Sequence, residues 1–132
     1  LNRALAGDPA RGIGAKAVPA QIPVLRALAE GPGGIDKLVA ENNVVAIVAP
    51  SGGPAWTTDL VTGDHFLGAS YSMAAVAGYP SITVPMGSVR DLPLGLCFFG
   101  PKWSEASLIG LAYAYEQRTK ARTTPKFLPH SP

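Results

Sequence analysis

The chain has 132 residues, 47% of them hydrophobic and only 15% charged, with eleven basic and nine acidic side chains giving a formal charge of +2. That length is about one domain's worth and excludes a complete multi-domain enzyme, while so small a charge with scattered basic residues excludes a nucleic-acid surface. An ordinary globular composition carries about a quarter charged residues, so this chain is expected to have much of its surface covered by other protein.

From Leu1 to about Val18 the residues are small, basic and Gly-rich without periodicity, which reads as a loop or arm. The opening on Leu rather than Met leads us to expect a processed or truncated chain, and no continuous apolar core follows that would make a signal peptide. Between Pro19 and Ala29, Ile22, Leu25 and Ala29 recur near helical spacing until Gly31-Pro32-Gly33-Gly34 stops them. Residues 1–34 are therefore an arm with a short helix. IDKLVAENN then puts Ile35, Leu38 and Val39 on one helical face, with Asn42-Asn43 as the stop. VVAIVAP is an apolar, β-branched stretch from Val44 to Ala49, ended by Pro50, and is expected to be a strand buried on both faces.

SGGPAWTTDLVTG leaves the carboxyl end of that strand as a turn-rich loop, the place where ligand-contacting loops emerge in open α/β sheets. Asp64 is expected to cap a helix reaching Ala77, with Leu67, Tyr71, Ala74 and Gly78 along one side. SITVPMGSV and PLGLCFF then make two strands joined through Arg90-Asp91-Leu92, an antiparallel pair. Ser104 caps the clearest helix, where Leu108, Leu111, Ala112 and Tyr115 form a stripe, Glu105 faces the positive end, and Arg118, Lys120 and Arg122 compensate the negative end. The last residues, 128–132, are an extended tail. The stretch from His65 to Val89 carries no formal charge, but its serines, glycines and prolines exclude a spanning helix, so no membrane partner is expected.

Side chains with chemical potential are few. GIGAKA, from Gly12 to Ala17, loosely matches a dinucleotide fingerprint, but DPAR precedes it where a strand is needed. His65 and His130 have no second ligand at metal spacing, and Cys97 sits among apolar residues without an activating charge, so neither cofactor nor metal is expected. One cysteine excludes a disulfide framework and fits a reducing compartment, with the cytoplasm as the default. Ser51, Ser70, Ser72, Ser81 and Ser104 lie near turns, yet GASYS lacks the final glycine of a nucleophile elbow and no serine stands three residues before a lysine. The residues alone give no catalytic machine.

The order of VVAIVAPSGGPAW, ASYSMAAVAGYPSITVPMG and LPLGLCFFGPKWSEASLIGLAYAYEQRTKAR resembles the carboxyl-terminal end of amidase signature family enzymes. The matching positions are Ala46 to Pro50, Ala77 to Gly87, Leu92 to Gly100 and Glu105 to Arg122, within a region running from Ile35 to Phe127. The resemblance implies an α/β fragment of that fold: a partial mixed sheet, one buried strand plus an antiparallel pair, with flanking helices. It implies hydrolysis of carboxamides by a lysine, a serine in a cis peptide and a nucleophilic serine, which lie in an earlier Gly/Ser-rich signature with no counterpart here. No catalytic residue is therefore assigned to this chain. Trp56, Thr57, Thr58 and Asp59 are the candidate substrate-pocket residues, Trp56 as an apolar wall and Thr57 and Asp59 orienting a polar group; the competing reading has them satisfy local backbone donors and pack an interface. Two functions follow as expectations. One is the carboxyl-terminal segment of an amidase, inactive alone, partnered by the remainder of the core and meeting a small amide only in the intact enzyme. The other is a stand-alone non-catalytic domain acting through self-association or a separate partner.

Overall fold

The structure is a computed structural model that describes residues 34–66 and 68–125 together with positions 27 and 127. Of the helix expected over Pro19–Ala29 only Ala27 is described, helical and exposed; the remainder of that helix, GIGAKA, and the residues 128–132 tail lie outside the described residues.

The elements, in chain order, are α1 (Ile35–Asn42), β1 (Ile47–Pro50), α2 (Ser72–Ala77), β2 (Ser81–Val89), β3 (Leu92–Phe99) and α3 (Glu105–Thr119). The three strands form one sheet in the order β1-β3-β2, with β3 antiparallel to both neighbours. β1 and β2 consequently run parallel to each other, joined by a crossover through α2, with β3 inserted between them as in a split β-α-β unit. The α/β class expected from the sequence is what the chain adopts.

Why β3 is central can be read from PLGLCFF, an apolar run with no polar alternation, which suits a strand covered on both faces. Its Cys97 and Phe99 pack with Ile35, Ala74, Ala77 and Tyr79 from α1, α2 and the turn ahead of β2. Phe98 turns to the opposite face, where it meets Val84, Leu108 and Ala112, with Leu96 and Tyr115 beside them. The sheet thus has α1 and α2 over one face and α3 over the other. Burial of the large side chains among these, Ile35, Val84, Phe98, Phe99 and Leu108, supplies about 1.5–3 kcal/mol each before chain entropy is counted.

The β2–β3 hairpin turns through Arg90 and Asp91, both at positive φ (50° and 61°), as a type I′ turn requires. Pro85 stays paired with Gly95, and the expected interruption takes the form of a bulge: Gly87 faces Leu94, which leaves Met86 as the extra residue. Gly87 takes φ 140°, where a side chain would be strained. At Gly95 the reason is space, since a Cβ would come within 2.5 Å of Thr83 Cγ2 and 2.6 Å of Ser51 Oγ.

Five local expectations need correction. The strand buried on both faces is β3; β1 begins only at Ile47, lies at the sheet edge, and leaves Val48 exposed, with Val44 and Val45 exposed before it. The physical reason is that α3 lies across β2 and β3, so Val48, on the α3 side, has no helix above it. The helix expected to start at Asp64 is confined to Ser72–Ala77. Gly68 at φ 102° lies outside helical backbone space, Ala69 is bridged to Gly52, and the Asp64 carboxylate is engaged elsewhere. Ser104 occupies the N-cap of α3, but its hydroxyl donates to the Pro101 carbonyl at 2.7 Å instead of accepting from the helix. Leu111 lies off the buried line of Leu108, Ala112 and Tyr115 and is exposed. α1 forms over Ile35–Asn42 and ends at Asn43 in the left-handed region that Asn tolerates, but of its expected face Ile35 is buried and Val39 packs beside it, whereas Leu38 is exposed.

Candidate functional site

Residues 51–71 make a loop between β1 and α2 that is fastened at its base. Ser51 donates to the Gly95 carbonyl through both its amide (2.8 Å) and its hydroxyl (3.1 Å), and its own carbonyl accepts from the Ser70 amide at 3.3 Å. With Gly52 bridged to Ala69, the two ends of the loop are held side by side against β3. Loops of this length within a compact fold are commonly functional.

Further out, Asp59 organises a reversal. Its Oδ1 accepts from the amides of Val61 (2.7 Å) and Thr62 (2.9 Å), and its backbone pairs with that of Gly63 in both directions. The Thr62 amide first, then that of Val61, stabilise the charged carboxylate and hold its pKa below the usual aspartate value. The reversal returns the chain so that Asp64 stands beside Trp56, whose Nε1–H donates to Asp64 Oδ1 at 2.5 Å. Phe66 meets the Trp56 ring with centroids 6.1 Å apart and planes inclined at 44°. An open groove of about 320 Å³ results, lined by Ala55, Trp56, Thr58 and Asp64.

Of the four residues singled out in the sequence, Trp56 and Thr58 line this groove, Thr57 is exposed beside it, and Asp59 directs its carboxylate into the turn. Asp64 was missed because an aspartate ahead of an apolar segment reads as a helix cap. The signal that could have found it is Asp59 four residues before Gly63, a turn chemistry that folds the loop back on Trp56.

Other reactive side chains do not converge on the groove. Thr62 Oγ1 and His65 Nε2 lie 2.8 Å apart, but both residues are exposed and three positions apart in the same loop. Cys97 is fully buried in the core. The buried Ser70 hydroxyl has no hydrogen-bond partner, and no serine among the described residues hydrogen-bonds a lysine or histidine. Among the described residues no group of three metal-ligating side chains comes together, and no helix is long and apolar enough to cross a membrane. His130 lies outside the described residues.

A split β-α-β sheet between helices, with a fastened loop at the end of its edge strand, defines an α/β unit whose groove lies on that loop. No protein-family model matches the chain. It is 38% identical over 97 residues to a probable amidase of Arabidopsis thaliana, covering 72% of this chain and 16% of the relative. It is also 38% identical over 96 residues to a glutamyl-tRNA(Gln) amidotransferase subunit of Acinetobacter baylyi, covering 67% of this chain and 19% of that one. Among solved structures, the peptide amidase of Stenotrophomonas maltophilia matches with TM-score 0.72 and 52% identity over 84% of this chain and 22% of its own. The chain is homologous to the carboxyl-terminal part of amidases of the amidase signature family, in line with the resemblance. It spans only 16% to 19% of the length of these curated relatives.

Proposed function

We propose that this chain is the carboxyl-terminal portion of a cytoplasmic carboxamide hydrolase, with the amidase-like unit running from Ile35 to Phe127. It supplies scaffold and one wall of the substrate site, and the attacking groups come from the remainder of the amidase core. The observation that carries this reading is the 52% identity to a peptide amidase over 84% of this chain, confined to 22% of that enzyme. The exposed apolar residues Val48, Ile109, Tyr113 and Trp103 support it, because a segment of a larger core keeps apolar faces for the rest to cover. Trp56 and Thr58 form the wall, and Thr57 and Asp59 border it.

Ammonia release from peptide amides tests the division of labour. The isolated chain is expected to stay at the buffer blank, whereas a chimera in which it replaces the matching segment of the Stenotrophomonas maltophilia peptide amidase is expected to hydrolyse them. Turnover by the isolated chain would end the proposal, and so would a folded but inactive chimera. Within the chimera, Trp56→Ala is expected to raise KM more than it lowers kcat; unchanged kinetics would remove Trp56 from the wall.

A further inference from the structure

The loop groove combines three features that local structure does not require together. Trp56, on the groove lining, is 45% exposed, and its ring is braced by the tilted ring of Phe66 at 6.1 Å instead of being covered by a core. The indole N–H is committed to Asp64 Oδ1, which fixes the ring and sets a carboxylate at its edge on the groove lining. The third feature is charge: among the described residues no cationic side chain forms an ion pair with Asp64, the ion pair formed being Lys37 with Glu41 on α1.

We propose that this groove binds a cation, the ammonium or guanidinium of an amide substrate's side chain, against the Trp56 ring and the Asp64 carboxylate that line it. Aromatic faces attract cations through their quadrupole, and a carboxylate beside them adds direct charge attraction. A neutral apolar group filling the same groove would strip water from Asp64 without replacing it, so it is the poorer complement. A guanidinium fits best, because its plane stacks on a ring while its N–H groups reach a carboxylate. The inference deepens the amidase reading by naming a substrate class, and rests on that reading only for the word substrate.

Binding can be followed without turnover. The full 132-residue chain, with Trp103→Phe to leave Trp56 as its one indole, is titrated with N-acetyl-argininamide and with N-acetyl-citrullinamide, which has nearly the same shape and no charge, while the indole N–H resonance is observed. The arginine compound is expected to bind about tenfold more tightly, the scale of an exposed cation–π contact joined to an exposed ion pair. Asp64→Asn, whose amide oxygen can still accept from the indole, is expected to cut the difference to the few-fold that the ring contact alone supplies. In the protein with Asp64 intact, raising salt from about 0.01 M to about 1 M, which shortens screening from ~30 Å to ~3 Å, is expected to shrink it as well. Equal affinity for the two compounds, no response to either, or a preference indifferent to both salt and Asp64→Asn would overturn the proposal. If the preference holds while the chimera fails to hydrolyse amides, only the amidase reading falls; hydrolysis without the preference removes only the cation site.

Discussion

The sheet with its three helices and the loop of residues 51–71 are built on opposite principles. In the first, stability comes from side chains of distant segments meeting: Ile35, Ala74, Cys97 and Phe99 on one face, Val84, Phe98, Leu108 and Ala112 on the other. In the loop, shape comes from polar groups close in sequence, with Asp59 holding the Val61 and Thr62 amides and Asp64 holding the Trp56 indole, while Leu60 and Val61 lie almost fully in solvent. A region stabilised by long-range burial is rigid because moving one part costs contacts elsewhere; a region stabilised locally can change its side chains at little cost to the fold. The candidate site lies in the second kind of region, fastened by Ser51 to the first.

The sharpest way to break that contrast is truncation on each side of it. Leu108→Ala removes a fully buried side chain from the core between α3 and the sheet and is expected to cost about 2–5 kcal/mol in chemical denaturation. Leu60→Ala, at a residue wholly exposed in the loop, is expected to stay within about 0.5 kcal/mol. Comparable losses at the two positions would mean that the loop is held by packing as the sheet is, and the contrast would fall.

How much of this could be read beforehand follows the same division. β3 declared itself through PLGLCFF, the hairpin through two apolar runs with a short polar connection, and α3 through Leu108, Ala112 and Tyr115 at helical spacing. Each of these depends on pattern within a segment. The edge position of β1 did not show, because VVAIVA is as apolar as a central strand and which helix covers it is decided by topology. In the site, Trp56 and Thr58 were recognisable as loop residues after a strand, but the pairing of Trp56 with Asp64 depends on the intervening turn. Ser104 misled in a similar way: position gave the cap, and only geometry gave its hydrogen bond to Pro101.

The hairpin sharpens the comparison because its turn is local chemistry inserted into the packed region. Arg90 sits at φ 50° without the local side-chain hydrogen bonding that lets Asn or Asp tolerate that region, and Asp91 at φ 61° is followed directly by β3. Replacing the pair by Asn-Gly, the dipeptide this turn favours, is expected to raise stability by about 0.5–1 kcal/mol with no change in the sheet's chemical shifts. A loss of stability would show that the Arg90 or Asp91 side chain makes a contact worth more than the turn strain.

The smallest effect concerns protons at Asp59. Two amide donors favour its carboxylate in the folded loop, so its folded pKa lies below the unfolded one. The sign follows from linkage: with the unfolded form binding its proton more readily, the contribution to loop order is complete above the ordinary aspartate value and fades as pH falls through that value and then the lowered folded one. Because this carboxylate is solvent-exposed, the consequence is local and leaves the global midpoint almost unmoved. NMR titration is expected to show the Asp59 carboxyl protonating below an unstructured peptide's aspartate, with the Val61 and Thr62 amides losing exchange protection over the same acid range. Asp59→Asn is expected to remove that pH dependence while the Ile35, Cys97 and Phe99 amides keep theirs unchanged. Acid loosening that spread from the turn into the sheet would mean that loop and core are one cooperative unit, and that the tie through Ser51 and Gly95 carries more of the loop's stability than its own polar contacts do.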